Sequence, residues 1–170
     1  MIIRRLSLAL LVLCAARPAC AGSVQLGEFE DWRAMKTTVS GRPLCYAVTQ
    51  PTRRDPEGLR RGEAYLFVTH RPAESVHAEV SVSFGFPLSS ASLAVGGGDE
   101  TTMLDSGSLA WLQNADADAA TVRLFKKEYT ATIAAKSLRG NETTDTYSLK
   151  GFSKALEAID QACGAGEDNA

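Results

Sequence analysis

The sequence has few of the residues from which metal and catalytic sites are usually built. It contains only two histidines, His70 and His77. They are seven residues apart across Pro72, a spacing that does not place them on one face, and no third ligand is nearby. A metal site usually needs three or four convergent ligands. We therefore expect two exposed or half-exposed imidazoles at a strand–loop boundary, and we predict neither a metal nor a cofactor.

Motifs of phosphate-binding and hydrolytic enzymes are also missing. The glycine run at residues 96–98 lacks the Lys-Ser/Thr that completes a phosphate-binding loop, and no Gly-x-Ser-x-Gly elbow occurs. A Ser/His/Asp triad can be written from Ser137, His70 and Asp145, but triads are recognised by geometry and not by composition. We predict no catalytic residues and keep a small secreted hydrolase as an alternative.

Long apolar runs are absent except near the N-terminus. A basic start at residues 1–5, an uncharged apolar run at residues 6–16 and Ala19-Cys20-Ala21 have the layout of a secretory signal peptide. The run is shorter than the roughly 20 residues that span a bilayer. We predict cleavage after Ala21, one domain over residues 22–164 and a disordered acidic tail at 165–170. An uncleaved membrane anchor is the alternative.

The processed chain would be acidic. Of 18 basic residues, three arginines lie within residues 1–21, whereas none of the 20 acids does. Cleavage therefore leaves 15 basic residues against 20 acids, a net charge near −5. Nucleic-acid binders normally have a basic surface. We expect no nucleic-acid partner, no membrane-spanning segment after processing, and an exported location in the periplasm, outside the cell or on its surface.

Two cysteines would remain after cleavage, Cys45 and Cys163. An even pair usually bonds in an oxidising compartment. We predict a Cys45–Cys163 disulfide, with two buried free thiols as the alternative. The chain-entropy model assigns about 4–5 kcal/mol to closing so long a loop.

Most of the chain is predicted to form short strands, and Trp32 and Trp111 are predicted to be core aromatics. Apolar or alternating segments at 32–39, 44–49, 64–69, 78–84 and 92–95, and a hairpin over 100–104 and 109–112, are typical of antiparallel β-structure. A short helix is expected at 116–127 and further strands at 129–136 and 144–149.

A last helix is predicted from a buried stripe of Phe152, Leu156, Ile159 and Cys163, which recur at helical spacing. Ser153 is expected to cap its start, and Gly164 to end it in the left-handed conformation. The predicted fold is mostly β, an antiparallel β-sandwich with a C-terminal α-helix.

One segment is locally basic. Residues 50–61 contain Arg53, Arg54, Arg60 and Arg61, a candidate interaction loop for an anionic surface such as lipid headgroups or polysaccharide. The alternative is a solvated loop whose arginines pair with Asp55 and Glu57.

Ser137 and Asp145 lie in a hydroxyl-rich stretch and are expected to hold turns through hydrogen bonds from side chain to backbone. Residues 137–140 (SLRG), residues 144–152 (TDTYSLKGF) and the helix ending at Cys163 resemble the C-terminal signature of the invasion associated locus B family. The structural motif on which this resemblance rests comprises Ser137, Gly140, Asp145, Gly151 and Phe152. Weaker similarity includes Trp32, Cys45-Tyr46, residues 62–72 and 80–86, and Ala110-Trp111.

The resemblance implies an exported protein of Gram-negative bacteria with an immunoglobulin-like β-sandwich fold. Some members of the family are linked to host-cell invasion and thus to virulence, and the family brings no catalytic residues to carry over. We expect a non-catalytic module that binds an unknown envelope or host-surface component. The alternatives are the small secreted hydrolase and a periplasmic stress or folding accessory.

Overall fold

Eleven strands, two α-helices and one 3-10 turn make up residues 22–164, the part of the chain that this computed structural model describes. The predicted signal peptide (1–21) and acidic tail (165–170) lie outside the described residues. None of the helices within 22–164 is long and apolar enough to cross a membrane. The strands are β1 (Val24–Phe29), β2 (Trp32–Val39), β3 (Arg42–Thr49), β4 (Arg53–Asp55), β5 (Gly62–Arg71), β6 (Val76–Gly85), β7 (Leu88–Val95), β8 (Thr101–Ser106), β9 (Leu109–Trp111), β10 (Thr130–Ser137) and β11 (Glu142–Ser148). The α-helices are α1 (Ala115–Phe125) and α2 (Phe152–Cys163), and the 3-10 turn is Pro72–Glu74.

The strands form one continuous antiparallel sheet that folds back on itself. Its order is β1-β2-β3-β5-β6-β9-β8-β7-β10-β11-β4. Strand β8 links the halves, because Thr101 to Met103 pair with β7 whereas Leu104 to Ser106 pair with β9. Buried residues from both halves join one hydrophobic cluster. The prediction of a mostly β, antiparallel, sandwich-like fold with a C-terminal helix is confirmed.

Strand β6 shows why sequence alternation predicted this fold. Val80, Val82 and Phe84 are buried in the core, whereas Ser81 and Ser83 on the opposite face are half-buried. Two strands were not predicted. Strand β1 has an irregular register against β2, and β4 is three polar residues paired with the edge of β11, so neither shows a clean period of two.

Helix α2 packs across β1, β2, β3 and β5 and buries the predicted stripe completely. Trp32 packs edge-on against Phe152 with ring centroids 4.9 Å apart, and its indole N–H donates to the Ser148 carbonyl at 2.9 Å. Cys163 is bonded to Cys45, 118 residues earlier, so the predicted disulfide is confirmed. Trp32 is a core aromatic as predicted, whereas Trp111 is only half-buried.

The predicted N-cap of α2 is wrong, and the predicted C-cap residue is correct but not its conformation. The N-cap is Gly151 and not Ser153; its φ is 86°, and a Cβ there would overlap the carbonyl of Phe29 on β1. The chain therefore needs glycine at this point both for its left-handed backbone and for the close approach to β1. At the other end, Gly164 has φ −59° and ψ 164°, which is not left-handed.

His70 is not the exposed or half-exposed residue that its sequence context suggests. It is 3% exposed and lies opposite Cys45 in the β3–β5 pair. The backbone N–H of Ala78 donates to Nδ1 at 3.0 Å, and Nε2 lies 2.7 Å from Asp160 Oδ1. Because Nδ1 accepts, Nε2 carries the proton and donates it to the carboxylate. His70 thus ties α2 to β5, while His77 is exposed as expected.

Asn114 caps the N-terminus of helix α1, and its side-chain oxygen accepts a hydrogen bond from the N–H of Ala117 at 2.9 Å. Asp118 on this helix is buried against β6, where its Oδ1 accepts the N–H of Val80 at 2.8 Å. Burial raises the pKa of Asp118 to about 6, although the Val80 hydrogen bond opposes the shift. The carboxyl group of Asp118 is thus harder to ionise in the folded protein than in the unfolded chain.

This shift predicts that Asp118 makes stability fall as pH rises from about 4 to 6. Below pH 4 the side chain is protonated in both states; above it, the unfolded chain releases the proton first and is favoured. The free energy of unfolding of Asp118→Asn, taken relative to that of the native protein, should therefore rise by about 1–2 kcal/mol as the pH increases from 4 to 7. Urea unfolding of both proteins at several pH values measures this difference, and a difference that does not change with pH would contradict the assignment.

Candidate functional site

The four arginines of the predicted interaction loop divide into two pairs. Arg53 and Arg60 are exposed. Arg54 and Arg61 turn inward to Asp145, which is 1% exposed. The alternative partners suggested by the sequence, the side chains of Asp55 and Glu57, make no salt bridge to these arginines in the described residues. The inward pair is thus part of the structure of the loop, and the outward pair faces solvent.

Asp145 is held by two guanidinium groups. Arg61 Nη2 lies 2.7 Å from Oδ1, and Arg54 Nε lies 3.6 Å from the same oxygen. The shorter contact is not aligned along an N–H bond, so it is an ion pair and not a hydrogen bond. The prediction that the Asp145 side chain holds a turn through hydrogen bonds to the backbone is therefore wrong. The physical reason is that it lies in mid-strand with its side chain facing the core.

Ser137, in contrast, has the predicted turn role. Its hydroxyl oxygen accepts the N–H of Asn141 at 3.0 Å, and its carbonyl accepts the N–H of Gly140 at 2.8 Å. Gly140 has φ 84°, a conformation that glycine adopts without strain. These contacts close the hairpin between β10 and β11, which we call the Ser137–Asn141 hairpin.

The buried cluster around Asp145 carries more positive than negative charge. Two guanidinium groups face one carboxylate, and the Arg61 side chain is only 3% exposed. Arg61 Nη1, Asp145 Oδ2 and Tyr147 Oη are buried without a hydrogen-bond partner in the described residues. Burial raises the pKa of Tyr147, and the Asp145 charge raises it further, so its phenol stays protonated.

Strand pairing explains why these residues meet. Strand β4 adds to the edge of β11 and places Arg54 directly opposite Asp145. The chain then loops through residues 56–61 and enters β5 at Gly62, opposite Gly85 of β6. A Cβ on Gly85 would overlap the backbone of Gly62, so the two glycines allow the strands to approach closely here. This close approach places Arg61, the residue before Gly62, beside the turn at Gly85–Pro87.

A cavity of about 400 Å³ lies at this end, between the arginine loop, the Gly85–Pro87 turn and the Ser137–Asn141 hairpin. Three arginines line it, and no acidic residue among those described does. Its apolar wall consists of Leu59, Phe86, Pro87 and Leu138. Thr143 reaches it from the same face of β11 as Asp145, so the cavity lies beside the buried ion pairs. We call it the arginine cavity; its arginines are Arg60, Arg61 and Arg139.

Two other surfaces are less suited to a specific ligand. A shallower depression of about 550 Å³ lies at the opposite end of β10, and both lysines and the acids Glu30 and Glu128 line it. The outer face of β2, β3 and β5 carries a half-buried aromatic group, with Tyr46 and Tyr65 about 6 Å from Phe67 between ring centroids. A depression of about 250 Å³ there is small for a ligand site.

The structure does not assemble the triad that can be written from the sequence. His70 uses both ring nitrogens, on Ala78 and Asp160, whereas Ser137 holds a hairpin and Asp145 is paired with arginines. Within residues 22–164, no three His, Cys, Asp or Glu side chains are grouped so as to hold a metal ion.

These observations define a class: a disulfide-closed, sandwich-like β-protein with an arginine-lined cavity at one end. Residues 104–160 match the family model for the Invasion associated locus B (IalB) protein. The resemblance read from the C-terminal signature is thereby confirmed over about a third of the chain. No curated protein and no solved structure matches the chain. Ala110-Trp111 lies within the matched residues, whereas the rest of the weaker similarity, up to residue 86, lies outside them and stays a prediction.

Sequence reasoning missed the grouping of Arg139 with Arg60 and Arg61. Arg139 belongs to the family-like SLRG segment, which the sequence suggested was purely structural. The one available signal was that both basic segments adjoin a predicted turn. Nothing local in the sequence shows that the turns lie at the same end of the fold.

We predict that Asp145→Asn lowers the free energy of unfolding by about 3–5 kcal/mol, because Arg61 would stay buried without its counter-ion. Tyr147→Phe is the matched core control. Its hydroxyl has no partner among the described residues, so its loss should change stability by less than about 1 kcal/mol. Urea unfolding at pH 7 measures both. An Asp145→Asn protein as stable as the native one would contradict the ion-pair assignment.

Proposed function

We propose that this chain is an exported, non-catalytic binding protein of the invasion associated locus B type that contacts anionic lipid headgroups at the envelope or host surface. The observation that carries the proposal is the arginine end of the molecule, by which we mean the arginine cavity and the exposed Arg60 and Arg139 that line it; no carboxylate among the described residues lines this cavity, and Arg53 is exposed further along β4. On a chain with an acidic net charge, this local basic surface favours an anionic partner.

A lipid surface fits this end better than a purely polar polyanion does, because an apolar side chain projects beside the charges. Leu138 in the Ser137–Asn141 hairpin is 71% exposed and precedes Arg139. Arginines near an anionic membrane each contribute about 1 kcal/mol, and an exposed leucine between them can enter the interface. Polysaccharide would use the charges alone.

Export is the second part of the proposal. It is supported by the signal-peptide layout of residues 1–21 and by the Cys45–Cys163 disulfide, which is typical of an oxidising compartment. The hydrolase alternative lacks an assembled nucleophile–base pair among the described residues.

We predict that the protein recovered from the periplasm or medium begins at Gly22, because Ala19-Cys20-Ala21 is the cleavage signal. N-terminal sequencing after cell fractionation measures this. Ala21→Arg should block cleavage, whereas Ser23→Arg, two residues further on, should not. Recovery of the full-length chain in the cytosol would contradict export.

We also predict salt-sensitive binding to vesicles of phosphatidylglycerol and phosphatidylcholine, and much weaker binding to phosphatidylcholine alone. Arg53→Glu with Arg60→Glu should weaken binding at least tenfold, since two charges reverse sign at about 1 kcal/mol per arginine. Vesicle co-sedimentation measures the affinity.

The matched control is Lys126→Glu with Lys127→Glu, the same charge reversal at the opposite end of β10, where both lysines are exposed. This control variant should bind the vesicles nearly as the native protein does. Any small loss of affinity should come only from its more negative net charge. Equal loss in both double variants would show non-specific attraction and contradict the proposal. If vesicle binding were lost in Tyr65→Ser but kept in the arginine double variant, the result would favour the aromatic face as the contact surface and the folding-accessory alternative. Binding to a soluble sulfated polysaccharide but not to vesicles would also reject a lipid partner.

A further inference from the structure

The arginine cavity is more than a charged surface, because it combines a fixed cationic group with an apolar wall. Arg61 is fixed through Nη2 to Asp145, and its Nη1 is buried without a protein partner among the described residues. Arg60 and Arg139 line the same cavity and make no salt bridge within that part of the chain. An arginine already held by a carboxylate loses little side-chain freedom when it meets a ligand.

The charge of the site favours an anion. The cluster around Asp145 has two guanidinium groups and one carboxylate; Arg61 and Asp145 are buried, and the excess positive charge is on Arg54, whose side chain is 27% exposed. A buried donor without an acceptor is costly, and an anion that accepts a hydrogen bond from Nη1 of Arg61 would offset that cost. Carboxylate and phosphate groups match the planar donor geometry of guanidinium.

The apolar wall shows what else the ligand must contain. Leu59, Phe86, Pro87 and Leu138 line the same cavity as the arginines. The volume of about 400 Å³ lies within the range of small-molecule sites but leaves room for only a short hydrocarbon portion beside an anionic group. A free inorganic anion would leave this wall uncovered.

We propose that the arginine cavity is a specific binding site for a single amphiphilic anion, a phosphate or carboxylate attached to a hydrocarbon chain. The anionic group lies against Arg60, Arg61 and Arg139, and the first carbons of the chain lie against Leu138 and Phe86. This proposal deepens the proposed function and rests on it, because it states which part of a lipid the arginine end would recognise.

The test uses soluble probes without any membrane. Octyl phosphate carries both parts of the ligand, inorganic phosphate only the charge, and octanol only the chain. Isothermal titration of the full processed protein should give one saturable site for octyl phosphate, at least tenfold weaker binding for inorganic phosphate, and at least tenfold weaker binding for octanol.

Two variants locate the site without touching the buried ion pairs. Arg139→Gln removes an exposed charge, and we expect affinity for octyl phosphate to fall about tenfold, the usual effect of losing one charge-assisted hydrogen bond. Leu138→Glu places a carboxylate in the apolar wall and should weaken binding as much or more. The matched controls are Arg123→Gln on α1 and Leu109→Glu at the start of β9, both exposed and outside the cavity, and these should bind as the native protein does.

The proposal is overturned if octanol or inorganic phosphate binds as tightly as octyl phosphate, or if Arg139→Gln and Leu138→Glu leave the affinity unchanged. Vesicle binding without octyl phosphate binding would leave the proposed function standing and reject the cavity as a ligand site. Octyl phosphate binding without vesicle binding would support the cavity and reject docking on a lipid surface.

Discussion

The packing of α2 against the inner face of the first strands is the constraint on which the rest of the structure depends. Phe152 packs against Trp32, Cys163 is bonded to Cys45, and the Asp160 carboxylate accepts a hydrogen bond from His70. These contacts join the last described element to β2, β3 and β5, so one half of the sheet has no complete core without the helix. Strand β11 runs directly into α2 through Gly151, and the position of the helix therefore sets the position of β11.

The arginine end follows from that placement. With β11 fixed, Asp145 becomes a buried negative charge in a sheet edge, and β4 with the loop after it supplies Arg54 and Arg61. The ion pairs of Arg54 and Arg61 with Asp145 thus fix the polar loop over residues 50–61, and the end of this loop lines the arginine cavity. The arginines that face outward are positioned by those that face inward, which is why the loop cannot be understood as four equivalent charges.

Local periodicity in the sequence was enough to predict much of the fold. The stripe on α2 and the alternation in β6 are patterns within a dozen residues, and the disulfide followed from two cysteines in a chain expected to be exported. The site was harder, because its defining contacts are non-local. Neither the pairing of Arg54 with Asp145 nor the burial of His70 beside Cys45 leaves a local signal. The N-cap of α2 was missed for a related reason, since Gly151 is required by the distant carbonyl of Phe29.

The route of the chain through α2 also sets an order of events in folding. Trp32, Ala34 and Cys45 belong to the first strands, yet the surface that buries them is the last helix. Stable structure that depends on such distant partners forms only when both are present. The buried faces of β2 and β3 are therefore complete only when α2 has joined them. A chain that lacks α2 therefore leaves Trp32, Ala34 and Cys45 without the surface that buries them, even when every strand is present.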